Sequence, residues 1–167
     1  MSTTATIDPR AAAPAAARPG FGERLREDQA YQAFVLLRVV FAVAPILFGL
    51  DKFFNVMVDW TQYLAPWIDD IVPGSAQDFM YFAGVVEIAA GLLVLAAPWI
   101  GGFVVAAWLG GIVVNLLTNN PPEYYDIALR DFGLFLAALA LGRLAWAYRT
   151  VPASKRTTST EPAHRAA

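Results

Sequence analysis

The sequence predicts an all-α integral membrane protein, a four-helix bundle with both termini cytoplasmic and a short interfacial amphipathic segment between helices 1 and 2. Three observations lead there. Of 167 residues 57% are hydrophobic and 16% charged, which is more apolar surface than a soluble domain of this size can bury. Phe79 to Thr118 runs for forty residues with Glu87 as its one charged side chain. A single helix of that length would span about 60 Å, roughly twice the hydrocarbon thickness of a bilayer. It must turn back, and Ala97-Pro98-Trp99 is where it breaks, with Gly101 and Gly102 expected to loosen the start of the returning arm. Finally, of twelve basic residues only Arg38, Lys52 and Arg130 lie between the two charged flanks of the chain, which places both flanks on the cytoplasmic side.

Each element can be justified in turn. Residues 1–30 read as a tail, rich in Ala, Pro, Thr and Ser up to Pro19, with the charged stretch Phe21 to Tyr31 starting a helix at the membrane surface. A signal peptide is the competing reading; its n-region would be too long and no small-residue cleavage site comes after the apolar run. The transmembrane domain covers 31–148. Its first span, about Ala33 to Phe54, carries Arg38, Phe41, Pro45, Phe48 and Lys52 on nearly one face, with a kink expected at Pro45. In Asp59 to Gly74, Trp60, Tyr63, Leu64, Trp67, Ile68, Ile71 and Val72 recur at helical spacing. That pattern predicts a segment lying against the headgroups with its aromatic side down and a second short helix starting at Pro66; an ordinary loop is the alternative.

Ser75 and Asp78 form a capping-box pattern for the second span, about Phe79 to Ala97, where Ala83, Gly84, Ala90 and Gly91 surround Glu87. The third span, about Trp99 to Thr118, offers another seam of small residues: Gly102, Ala106, Gly110 and Gly111, ending at Asn115 and Asn119. Asn120-Pro121-Pro122-Glu123 reads as the start of the fourth helix, which runs to about Tyr148. Residues 149–167 are again a polar tail. Trp60, Tyr63, Trp67, Tyr124 and Tyr125 fit an outer aromatic belt, and Tyr31, Trp99, Trp146 and Tyr148 an inner one.

Composition narrows the function. A net charge of −2 without a basic face argues against nucleic acid as a partner. With no cysteine, and with His164 in a polar tail as the one histidine, the chain holds no thiolate or paired-histidine metal site of its own. Redox chemistry would belong to a bound small molecule or a partner protein. The polar residues at membrane depth are Arg38, Lys52, Glu87, Asn115, Arg130 and Asp131. An ionised group at mid-membrane costs about 2.5–3.5 kcal/mol, so Glu87 needs a partner. Arg130 is the first choice, with Arg38 from below and Lys52 from above as alternatives. These groups either pair only to fix helix register or form a pocket toward the outer leaflet, with Phe48, Phe53, Trp60 and Tyr81 at its mouth.

LLRVVFAVAPILFGLDKFF in the first span, GVVEIAAGLLVL in the second and ALRDFGLFLAALAL in the fourth together resemble the DoxX-like family of small four-helix bacterial membrane proteins. The resemblance covers about Leu36 to Leu144, and the positions that carry over are Arg38, Lys52, Glu87, Arg130 and Asp131. It implies residence in the bacterial inner (plasma) membrane. It also implies an accessory, non-catalytic membrane subunit of a quinone-linked or oxidative-stress redox complex, because the family takes its name from a subunit of a thiosulfate:quinone oxidoreductase. A quinone as ligand and an oxidoreductase as partner come from the same resemblance. The Trp-rich segment after the first span and the NNPPEYYD entry to the fourth depart from the commoner pattern. Binding or transport of a small amphipathic ligand around Glu87, and a structural or assembly role, are the other readings.

Overall fold

A computed structural model describes residues 20–119 and 123–150, all of whose regular structure is helical. The tails expected at 1–19 and 151–167, and the cap expected at Asn120 to Pro122, lie outside the described residues. Helix α1 (Phe21–Glu27) is a short surface turn. Asp28 ends it and starts α2 (Gln29–Phe54) by accepting a hydrogen bond from the Tyr31 amide, so the first long helix begins earlier than apolarity alone suggests. Asn55, at φ 50°, closes α2 in the left-handed conformation that asparagine tolerates.

Between α2 and the next long helix, Trp60–Tyr63 form one 3-10 turn and α3 (Pro66–Ile71) begins at proline as expected. Asp59 starts the 3-10 turn; bonds from the Thr61 hydroxyl and amide hold its carboxyl below the usual carboxylate range. Leu64 and Ala65 are buried, so the middle of the segment packs onto the protein, while Trp67 and Ile71 stay exposed. Gly74, at φ 112°, makes the turn into α4 (Ala76–Ala96), whose Ser75–Asp78 capping box forms as the pattern requires.

A single residue, Ala97, separates α4 from α5 (Pro98–Thr118). Gly101 and Gly102 do not loosen this turn. They permit close approach: a Cβ on Gly101 would lie 2.7 Å from Val94 Cα, and one on Gly102 2.6 Å from the Gly142 amide nitrogen. The last helix, α6 (Tyr125–Thr150), starts beyond the expected place, since Glu123 and Tyr124 are not helical.

Helices α2, α4 and α5 are long and apolar enough to cross a membrane. With α6 they pack as two close pairs, α2 on α4 and α5 on α6, joined by the lesser α4–α5 and α2–α6 contacts. Small residues make the pairs close. A Cβ on Gly49 would meet the Gly84 carbonyl oxygen at 2.6 Å, and one on Gly91 the Ala42 carbonyl oxygen at 2.7 Å. Ala42 and Gly49 are thus matched with Gly91 and Gly84 across an antiparallel crossing, each set one heptad apart. At the end where α2 begins and α6 finishes, here the termini end, Phe34, Val94, Val105, Ala138 and Leu141 form a packed core. Tyr31 and Phe34 meet Tyr148, and Trp99 meets Trp146, so the expected inner aromatic belt gathers here in pairs.

Candidate functional site

The other end is hollow. Between the two helix pairs lies a cavity of about 680 Å³ with mostly apolar walls, and the buried Lys52 and Glu87 line it. Lys52, Glu87, Asn115, Arg130 and Asp131 all line it; Arg38 does not.

Glu87 pairs with Lys52, not with Arg130. Lys52 Nζ donates to Glu87 Oε2 at 2.7 Å, and the two side chains are 7% and 9% exposed. The crossing explains the choice. Lys52 lies three residues beyond Gly49 and Glu87 three beyond Gly84, in antiparallel helices, an axial offset of about 9 Å. Side chains in a helix lean toward its N-terminus, so the two lean toward one another and the long lysine closes the gap. Helix α6 belongs to the other pair, and the Arg130 side chain is 68% exposed, its Nε 3.5 Å from Asp131 Oδ1. Arg38 donates to the Leu95 carbonyl, an otherwise unpaired acceptor in the last turn of α4.

The remaining bonds assemble the site. Trp108 Nε1 stands 3.4 Å from Glu87 Oε1, and the Trp60 ring lies under Lys52 Nζ at 3.9 Å. Trp60 Nε1 also donates to Asp51 Oδ2 at 2.7 Å, while Asp51 accepts from the Val56 and Met57 amides. Asp51 thus ties the segment after α2 back onto the helix end. Asn115 faces that segment: its Nδ2 donates to the Tyr63 carbonyl at 2.7 Å and its Oδ1 accepts from the Ala65 amide at 2.9 Å. Asn119 donates to the Gln62 carbonyl and Trp67 to the Thr118 hydroxyl. The segment from Trp60 to Ile71 is therefore a bolted cap over the cavity.

Of the aromatic residues expected at the mouth, Phe48 and Trp60 line the cavity. Phe53 and Tyr81 instead stack on each other. The sequence reading missed Asp51 and Trp108 as members of the site. A signal existed for Asp51, an acid at a helix end with a tryptophan-rich segment after it. None existed for Trp108, one indole among many apolar residues.

Fold and site together define a helical membrane protein with a cavity between its helices that is lined by a buried ion pair. The family model named DoxX matches residues 33–116, half of the chain, and the chain belongs to the DoxX family. Neither a curated protein nor a solved structure matches it.

Proposed function

We propose that the protein binds a neutral amphipathic small molecule of the quinone or lipid-like class, its polar head at Lys52 and Glu87 and its apolar part along the cavity walls. One observation carries this reading: a cavity of about 680 Å³, within the range of small-molecule sites, whose apolar lining converges on one buried ion pair. The lining cations Lys52 and Arg130 balance Glu87 and Asp131, which suits an uncharged head. Lys52 uses one of its three donors on Glu87, leaving donors for a ligand carbonyl; Glu87 Oε1, with only the long Trp108 contact, is free to accept from a hydroxyl.

A quinone held here would need electrons from elsewhere, since the chain has no cysteine. That supports the narrower reading of an accessory subunit serving an oxidoreductase partner. In this reading α6 is the fourth span and both termini face the cytoplasm of a bacterial inner membrane, which the basic flanks support.

The test uses tagged protein in native nanodiscs, with mass spectrometry of bound small molecules and proteins, and titration with a fully substituted, decyl-tailed benzoquinone read by tryptophan fluorescence. Saturable quenching of Trp60 and Trp108 is expected, lost in Lys52→Met/Glu87→Gln. A protein that carries no small molecule and shows no saturable quenching has an ion pair that only sets helix register. A stoichiometric oxidoreductase in the same preparation supports the accessory role.

A further inference from the structure

Which walls of the cavity can part determines where its occupant comes from. The floor is closed by the packed core, where Phe41, Ala90 and Val105 are each at most 4% exposed. The cap is held by bonds from Asn115, Asn119, Trp67 and Trp60. Within each helix pair the backbones touch, at Gly49–Gly84 and Gly102–Gly142, so neither pair opens without breaking its crossing. On the α4–α5 side the cavity residues of α4 are buried or half-buried and Trp108 reaches across to Glu87.

The α2–α6 side differs. Ring contacts and hydrogen bonds join these helices at the termini end, where Tyr148 meets Tyr31, Phe34 and Asp28. Farther along, the two helices face each other across the cavity with exposed lining residues, Val40 at 50%, Phe48 at 40% and Leu134 at 37%. Val40 is eleven residues into α2, about 16 Å along it, a depth occupied by acyl chains and not by water.

We infer that the cavity is loaded sideways, from the bilayer, through the seam between α2 and α6, while the cap stays closed. The ligand is then a membrane-dissolved molecule that enters tail and head together, and a water-soluble analogue has no direct route. This inference rests on the ligand-binding reading above.

Because the chain has no cysteine, introduced pairs report alone. Phe48 and Leu134 each lie fourteen or more residues along their helices from the Tyr31–Phe34–Tyr148 contact, and so at one level. Phe48→Cys with Leu134→Cys, joined by a short bis-maleimide, closes the seam; Gln62→Cys with Asn119→Cys, joined likewise, locks the cap. The decyl-tailed benzoquinone is added to each in nanodiscs and quenching is tracked by stopped flow. Linking the seam before addition should slow quenching at least tenfold, and linking it after loading should slow release by a similar factor, a trapping effect that mere damage to the site does not produce. Locking the cap should leave both rates within twofold. Slow loading through a locked cap, with a linked seam having no effect, overturns the inference and leaves the binding reading intact. Absence of saturable quenching in the unlinked protein overturns both. With the unsubstituted protein, loading at a fixed amount of probe should depend on its mole fraction in lipid as lipid is varied; a rate that depends on aqueous concentration overturns the sideways route.

Discussion

Lys52 serves three neighbours. It neutralises Glu87, sits on the Trp60 ring, and through Trp60 reaches Asp51. Removing one partner of a buried ion pair typically costs about 3–5 kcal/mol, whereas replacing both can be nearly neutral. Lys52→Met should therefore destabilise the protein by about that amount, and Lys52→Met/Glu87→Gln should regain most of it, as read by denaturant unfolding in mild detergent. Trp60→Phe keeps a ring for the ammonium but deletes the bond to Asp51, a carboxylate that is 7% exposed. A loss of stability is expected in the same titration, because the carboxylate loses its shortest donor. Glu87 was legible as a polar centre because no other charge interrupts forty apolar residues. Its partner was not, since helical rise puts Lys52 and Arg130 at similar depth and only the pairing of helices separates them.

Pairing is decided at the scale of elements by residues that have no side chain to show. Gly49 and Gly84 let α2 and α4 touch, and a larger residue at either would collide with main chain. Gly49→Leu should cost more than the roughly 1–3 kcal/mol of ordinary overpacking, because backbone cannot yield as a side chain does. Gly111 differs: a Cβ there meets nothing within 4 Å, so Gly111→Ala should be neutral or stabilising by up to about 1 kcal/mol. Thermal unfolding of the two variants side by side checks this contrast. Spans and the Ser75 cap were readable because apolar length and capping chemistry are local. The cap segment was half-readable: Pro66 announced α3, but the amphipathic pattern suggested a headgroup surface where Leu64 and Ala65 are in fact buried. What fastens it is the side chain of Asn115, fifty residues away from Ala65. Asn115→Leu should raise amide hydrogen exchange across Trp60–Ile71 while leaving α4 protected.

For the molecule as a whole, two close helix pairs meeting at one end and parting at the other give a packed half and a hollow half. The proposed topology predicts that single cysteines at Glu23 and Arg149 react with an impermeant thiol reagent only from the cytoplasmic side, and one at Asp70 only from the opposite side; labelling of intact cells and inverted vesicles decides it. The one-residue turn at Ala97 has a further implication for any soluble partner. On that face the middle of the chain presents no loop to grip, so among the described residues a partner approaching from there meets α1, with Phe21 exposed and Arg24 and Arg26 in its last turn, and the final turn of α6, where Arg149 covers the Trp99 ring. Recognition on that side would be confined to the two ends of the polypeptide, and truncating either end would be felt by the partner before it is felt by the cavity.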